Sequence, residues 1–104
     1  MIRVRYKTAD GLLTGFTLSG HAGAGASGQD IVCAAVSSAA YMTANTVTEI
    51  IGATADIAVD DGYMDVTVTD RIAGCQDVLS GFRLHLQALT DQYPTRIQLM
   101  NSEV

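Results

Sequence analysis

Residues 30–52, DIVCAAVSSAAYMTANTVTEIIG, decide the fold because they predict one long and almost uncharged helix. The predicted helix spans residues 30–51, since Asp30 is a suitable N-cap and Gly52 a suitable C-terminal stop. After the N-cap, Glu49 is its only charged residue. A helix that is apolar or small all round is normally covered on more than one side. We therefore expect a central helix that packs on a sheet and also on another helix or subunit.

The apolar side chains of this helix form a broad apolar surface. They are Ile31, Val32, Ala35, Val36, Ala39, Met42, Val47 and Ile50. The remaining positions are mostly Ala, Ser and Thr, whose small side chains allow a neighbouring element to approach closely.

Alternating segments before the helix predict a β-hairpin. Residues 2–7 alternate strictly between apolar and basic side chains, as a strand with one wet face does. Asp10-Gly11 then supplies a turn that can adopt positive φ, and residues 12–19 alternate again. We interpret the basic side chains as the wet face of an edge strand. In the second run, the expected faces are Leu12, Phe16 and Leu18 against Leu13, Thr17 and Ser19.

The chain after the helix predicts a second hairpin and a second helix. Residues 55–59 and 63–69 flank the turn sequence Asp60-Asp61-Gly62. Apolar residues at helical spacing predict a helix over 76–92. This helix ends at Tyr93-Pro94, because the residue before proline is disfavoured in a helix.

A short last strand completes the order of elements. Ile97 and Leu99 alternate with polar neighbours and predict this strand. The resulting order is ββαββαβ, with paired hairpins and separated helices. It predicts an α+β fold with two helices and a mainly antiparallel sheet, in a single domain over residues 1–104.

Size and charge restrict the classes of function. At 104 residues and 10.9 kDa the chain is too short for a two-domain enzyme or a complete dinucleotide-binding fold. A net charge of −5 argues against direct binding of nucleic acid and is compatible with a basic partner.

The same composition favours a cytoplasmic protein. The alternation at 2–7 does not resemble a signal peptide. The weakly polar run near 31–42 is too short and too polar to cross a bilayer, so no membrane contact is expected. Cys33 and Cys75 are expected to be reduced thiols.

Cys33 is the first candidate for chemistry. If Asp30 is the N-cap, Cys33 is the third helical residue, where free N–H groups and the positive end of the helix favour a thiolate. Such a position lowers a cysteine pKa from its usual value of about 8.5 and makes the sulfur nucleophilic. The alternative is that Cys33 is one more small apolar residue of a small-residue helix.

His21 is the second candidate. It follows the predicted strand by two residues and precedes Cys33 by twelve, so strand end and helix start can bring the two side chains together. Histidine could then accept the thiol proton and later protonate a leaving amine. The alternative is a histidine that only binds a backbone carbonyl in the loop.

Asp30 and Ser37 have open assignments. Asp30 could cap the helix, orient His21 or do both, although a carboxylate beside Cys33 would also oppose thiolate formation. Ser37 lies one helical turn after Cys33 and shares its face, so it could contact the sulfur, line a cleft or only permit close packing.

The glycine-rich loop 20–28 has a misleading pattern. Gly23, Gly25 and Gly28 fit G-x-G-x-x-G after a strand and before a helix, but the acid expected about 20 residues later falls inside the helix. We interpret these glycines as a flexible loop over a cleft that admits an extended peptide. No cofactor is expected.

A zinc site is also not expected. His21, Cys33, Cys75 and His85 have the right residue types, but the chain has no close pair of cysteines. We interpret Cys75 as a structural thiol and His85 as a solvated or interface histidine.

The motif as a whole resembles the ribosomal-processing cysteine proteases of Firmicutes and related bacteria. The similarity rests on Gly20-His21-Ala22, Gly28 and Asp30-Ile31-Val32-Cys33-Ala34-Ala35, which is followed by Val36-Ser37. Chain length and order of elements extend it over nearly the whole sequence.

The resemblance implies a specific reaction. Such an enzyme removes a short N-terminal extension, which ends in an apolar and aromatic stretch, from large-subunit ribosomal protein twenty-seven before ribosome assembly. It implies that Cys33 is the nucleophile and His21 the base and acid, with Asp30, Ser37 and Gly20 supporting the site. Ala22, Gly23, Gly25 and Gly28 would belong to the substrate loop. The resemblance also implies a homodimer.

Two other classes of function stay open at this point. One is a non-catalytic ribosome-associated binding protein, in which His21 and Cys33 are incidental. The other is a thiol-based redox or transferase protein, although the chain has no C-x-x-C motif.

Overall fold

The computed structural model of the protein describes residues 1–21 and 30–102. Its elements follow the predicted order ββαββαβ, which is confirmed. The strands and helices are β1 (Ile2–Ala9), β2 (Leu12–Ser19), α1 (Ile31–Asn45), β3 (Ala55–Asp60), β4 (Tyr63–Val68), α2 (Gln76–Gln92) and β5 (Ile97–Ser102). A π-helical segment, Thr46–Ile51, continues α1, and a 3₁₀ turn, Ile72–Cys75, precedes α2.

The five strands form one mixed sheet in the order β3-β4-β2-β1-β5. Every neighbouring pair is antiparallel except β1 and β5, which run parallel. The prediction of an α+β fold with a mainly antiparallel sheet is therefore confirmed. The position of β1 is not as predicted: it lies between β2 and β5, so its basic side chains form the wet face of an inner strand.

The first hairpin contains a bulge that changes which side chains face inward. Its turn is as predicted, with φ of 53° at Asp10 and 78° at Gly11. Lys7 lies opposite Gly15, but the next residue of β1 lies opposite Leu13, so one residue of β2 is left over. The alternation changes phase there. The predicted faces are therefore wrong at one end: Leu13 is 5% exposed, whereas Leu12 is 38% exposed.

Gln76, the first residue of α2, stabilises this bulge. Its amide oxygen accepts the N–H of Leu13 at 2.9 Å, and its amide nitrogen donates to the carbonyl oxygen of Leu13 at 2.8 Å. One side chain thus satisfies both backbone groups of the residue beside the bulge. It also attaches the start of α2 to β2.

Both helices contribute to one core with the sheet. The fully buried side chains include Val4, Phe16 and Val66 from the strands, and Phe82 of α2 stacks on Phe16 at a centroid distance of 4.3 Å. The buried positions of α1 and its π-helical continuation are Val32, Val36, Ala39, Ala40, Thr43, Ala44 and Val47. Three side chains of the predicted apolar surface are exposed in the single chain, namely Ile31, Met42 and Ile50.

The two ends of the long helix are as predicted. Asp30 caps its start, and Gly52 ends the π-helical segment with φ of 77°. The whole helical segment, Ile31–Ile51, has 21 residues and is long and apolar enough to cross a membrane by length and composition alone. Its packing in this fold is that of a core helix, with Val36 and Val47 almost fully buried.

The hydroxyl of Tyr6 is a buried polar group, and its removal tests the packing of the core. It is 4% exposed, and its hydroxyl has no hydrogen-bond partner among the described residues. Burial raises the pKa of Tyr6 to about 12, although the charge of Arg83 lowers it slightly. Ionisation of the hydroxyl is therefore disfavoured in the folded state.

We expect Tyr6→Phe to raise the free energy of unfolding by about 1 kcal/mol, because it removes a buried polar group without a partner. Since the folded pKa exceeds the unfolded value of about 10, wild-type stability should fall as pH rises from about 10 to 12. Urea unfolding at pH 7 and at pH 11 checks both effects. If wild type and Tyr6→Phe lost equal stability between pH 7 and pH 11, the raised pKa of Tyr6 would be contradicted.

Candidate active site

The candidate site is a cleft where β1, β2, the start of α1 and the β3–β4 hairpin meet. Its volume is about 240 Å³. It is lined by Ile2, Leu18, Gly20, His21, Cys33, Val36, Ser37, Tyr41, Val59, Asp60, Asp61, Gly62, Tyr63 and Met64. The structure therefore places four of the predicted site residues in one cavity, namely Gly20, His21, Cys33 and Ser37.

Cys33 is positioned by the cap of α1. One carboxylate oxygen of Asp30, Oδ1, accepts the backbone N–H groups of Val32 and Cys33, each at 3.0 Å. This arrangement confirms Asp30 as the N-cap and Cys33 as the third residue of the helix. The side chain of Cys33 is half-buried at the wall of the cleft.

His21 is positioned by the residue before it and by the hairpin across the cleft. Gly20 has φ of 91°, and its N–H donates to the carbonyl oxygen of Gly62 at 2.9 Å. A Cβ atom at Gly20 would lie 2.3 Å from the carbonyl oxygen of Met1, so this position needs glycine. The terminal amine of Met1 donates to the carbonyl oxygen of His21.

The imidazole of His21 lies against the turn of the β3–β4 hairpin. Gly62 has φ of 64°, and a Cβ atom built there would lie 2.7 Å from Nε2 of His21. The ring thus occupies the space that any other residue at this position would fill. Sequence reasoning predicted Asp60-Asp61-Gly62 as a turn but not as part of the site. The only signal in the sequence was the glycine of this turn, since glycine permits another side chain to approach the backbone closely.

Side chains from α1 and the hairpin form the remaining walls. Ser37 and Tyr41 follow Cys33 at successive turns of α1, so all three face the cleft. Opposite them lie Val59, Asp60 and other residues of the hairpin. Sequence reasoning found Ser37 but missed Tyr41 and the hairpin residues, because their side chains meet Cys33 only through the sheet topology.

The remaining predicted site residues are Ala22, Gly23, Gly25, Gly28 and Asp30. The substrate-loop positions Ala22, Gly23, Gly25 and Gly28 lie outside the described residues. Asp30 binds the helix start, and its predicted contact with His21 stays a prediction.

The second cysteine is unlike Cys33. Cys75 is completely buried, and burial raises the pKa of its thiol, as does the nearby charge of Asp70. Neither Cys75 nor Cys33 forms a disulfide. His85 lines a different cavity, between α1 and α2. Within residues 1–21 and 30–102, no group of three or more His, Cys, Asp and Glu side chains is arranged to hold a metal ion.

Comparison with known proteins agrees with a thiol enzyme. The family model described as cysteine protease Prp matches residues 1–98. The chain belongs to the Prp cysteine protease family. No curated protein sequence matches it. As a member of this family it is a cysteine protease.

Solved structures of similar proteins have the same fold. The ribosomal processing protease Prp of S. aureus, crystallised with a covalently linked product peptide, superposes with a TM-score of 0.91 at 29% identity, covering 98% of this chain and all of that one. The same protease with a substrate peptide gives 0.86 at 28%, with the same coverage. SMU.848 from Streptococcus mutans gives 0.86 at 28%, covering 100% of this chain and 96% of that one.

The close approach of Gly62 and His21 predicts that a side chain at position 62 lowers activity by more than its loss of stability explains. Gly62→Ala should cost about 1 kcal/mol of stability because of its positive φ, and should also displace the His21 ring. Gly11→Ala is a matched control, because Gly11 has φ of 78° and open space around it.

We expect similar losses of stability in Gly62→Ala and Gly11→Ala, but a ten- to hundredfold lower peptidase activity only in Gly62→Ala. Thermal unfolding and cleavage kinetics of both variants measure this difference. Equal activity in the two variants would show that the ring position does not matter.

The two thiols should differ in reactivity. Iodoacetamide should modify Cys33 in the native protein, because its side chain is accessible from the cleft. Cys75 should react only after unfolding, because it is buried and its pKa is raised. Peptide mapping by mass spectrometry after brief alkylation, with and without urea, checks this. Comparable native labelling of both cysteines would be the contrary result.

Proposed function

We propose that this protein is an endopeptidase that removes the N-terminal extension of large-subunit ribosomal protein twenty-seven. In this proposal Cys33 is the nucleophile, and His21 is the general base and acid. The observation that carries it is that two side chains from separate elements, a strand end and a helix start, line one cleft in a Prp family chain. The S. aureus relatives bound to substrate and product peptides support a peptide as the occupant of the cleft.

The first half of the reaction acylates the enzyme. His21 accepts the proton of the Cys33 thiol, and the sulfur attacks the carbonyl carbon of the peptide bond that follows an aromatic residue. A new S–C bond forms, and the carbonyl oxygen becomes an oxyanion. When the C–N bond breaks, His21 gives its proton to the departing amine, which leaves a thioester on Cys33.

The second half restores the enzyme. His21 takes a proton from water, and the resulting hydroxide attacks the thioester carbonyl. The S–C bond breaks, and the extension leaves with a carboxyl end. His21 returns its proton to the sulfur of Cys33, which is then available for a second substrate.

The start of α1 uses its backbone donors within the helix cap. Backbone N–H groups at a helix start can bind an oxyanion, but those of Val32 and Cys33 are already bound to Asp30, and that of Ala34 to the carbonyl oxygen of Asp30. In this structure the cap therefore takes the donors nearest to the sulfur. The positive end of the helix still favours negative charge within its first turn.

Charge and surface support the remaining parts of the proposal. The net charge of −5, with Asp60 and Asp61 at the cleft, suits a basic ribosomal protein as the substrate. We propose that the protein is cytoplasmic. We also propose that it is a homodimer, since Ile31, Met42 and Ile50 leave an apolar side of the long helix exposed.

The test uses the extended ribosomal protein as the substrate and mass spectrometry of the intact product. Wild type should yield one N-terminal truncation. Cys33→Ala and His21→Ala should each reduce the rate by more than about a thousandfold, because each removes a group that acts in bond breaking. Their matched controls are Cys75→Ala and His85→Ala, which change the same residue types away from the cleft.

Both control variants should cleave at close to the wild-type rate if they remain folded. Circular dichroism of each protein verifies folding. Full cleavage by Cys33→Ala or His21→Ala would refute the proposed mechanism. An intact substrate after incubation with folded, reduced wild type would refute the proposed substrate.

A further inference from the structure

The outer edge strand of the sheet, β3, is exposed at every residue after the half-buried Ala55. It pairs with β4 on one side, and within the described part of the chain nothing pairs with its other side. Ile57 lies opposite the buried Val66, and Val59 lies opposite the buried Met64, so both side chains point to the helix-bearing side of the sheet. They are nevertheless 44% and 52% exposed, because the helices do not extend over β3.

The hydrogen-bond register shows which backbone groups of β3 are available. The N–H of Thr69 donates to the carbonyl oxygen of Thr54 at 2.8 Å, so this pair is of the hydrogen-bonded class. In an antiparallel ladder such pairs alternate, so Asp56, Ala58 and Asp60 bond to β4. The N–H and C=O groups of the intervening residues therefore point outward from the sheet: Ala55, Ile57 and Val59.

The available edge is continuous with the candidate active site. Val59 and Asp60, at the end of β3, line the same cleft as Cys33 and His21. The three outward positions extend about 13 Å from the cleft at the usual rise of a strand. An extended peptide that pairs with these three positions would continue along β3 into the cleft that contains the Cys33 thiol.

Charge distinguishes the possible occupants of this edge. Asp56 and Asp60 project on the side of β3 opposite to Ile57 and Val59. A second copy paired antiparallel about Ala58 would place Asp56 opposite Asp60 twice, which is unfavourable. A peptide with alternating apolar and basic residues would instead cover the apolar side chains and neutralise the acidic ones.

We infer that β3 binds an extended segment of the substrate as an added strand, through the outward N–H and C=O groups of Ile57 and Val59. The inference rests on the proposed function and assigns a docking site to it. Main-chain hydrogen bonds give such a mode its affinity, and alternate side chains give its specificity.

The test measures binding separately from cleavage. A labelled peptide, which comprises the N-terminal extension of the ribosomal protein and several residues beyond it, is titrated with Cys33→Ala protein by fluorescence anisotropy. Single backbone N-methyl groups are placed at successive peptide positions. Strand addition predicts a period of two over about five residues, with about tenfold weaker binding at sensitive positions and less than twofold changes between them.

A pair of protein variants tests the groups of β3 that take part in the same hydrogen bonds. Ile57→Pro removes an outward N–H without breaking the ladder to β4, a position where an edge strand tolerates proline. Ile57→Ala shortens the side chain but retains the N–H. We expect about tenfold weaker binding for Ile57→Pro and a smaller loss, about threefold, for Ile57→Ala.

Each outcome has a defined meaning. A flat N-methyl scan, or equal binding by Ile57→Pro and Ile57→Ala when both are folded, overturns the inference while leaving cleavage by wild type intact. If Ile57→Pro does not fold, the N-methyl scan alone decides. If wild type cleaves nothing but the scan shows the period of two, the proposed reaction fails and the docking edge stands. No measurable binding of the unmodified peptide overturns the docking edge.

Discussion

The paired hydrogen bonds from one oxygen of Asp30 to the N–H groups of Val32 and Cys33 are the contact on which the site depends. They fix the residue at which α1 begins, and hence which side chains face the sheet. Starting the helix one residue later would rotate every position by about 100°. Val32 and Val36 would then leave the core, and Cys33 would leave the cleft.

The cap also sets the electrostatic character of the cleft. The Asp30 carboxylate satisfies the helix end and stabilises the fold, but it lies in the same helical turn as Cys33, whose sulfur becomes negative in the proposed mechanism. The start of α1 therefore mainly stabilises the fold. The Asp30 cap reduces the degree to which the positive end of the helix favours a thiolate at Cys33. His21 lines the same cleft as Cys33. In the proposed mechanism this histidine, as general base, compensates for the reduced contribution of the helix end.

Much of the fold could be predicted from the sequence because its signals are local. Asp30 and Gly52 mark the ends of the long helix, and the Asp10-Gly11 turn gives the first hairpin. The inward face at Leu13 does not follow from unbroken alternation over residues 12–19, because the bulge opposite Lys7 and Thr8 changes the phase of the alternation. Strand order was equally inaccessible: β1 is an inner strand only because the distant β5 pairs with it.

The site could be predicted in part for a similar reason. His21 and Cys33 stand close in sequence, within a compact motif. The opposite wall is formed by a hairpin about 30 residues further on, whose sequence signals only a turn. Tyr41 and Tyr63 reach the cleft through helix phase and strand register, neither of which the sequence displays with sufficient accuracy.

The parallel pairing of β1 with β5 has a consequence for how the chain acquires its structure. The two strands are about 95 residues apart in sequence, so this contact closes nearly the whole chain as one loop. Both hairpins and both helices can form from neighbouring segments, whereas one side of β1 stays open until the last strand arrives. Assembly should therefore be slow relative to helical proteins of equal size, and the incomplete sheet would be the species most prone to aggregation.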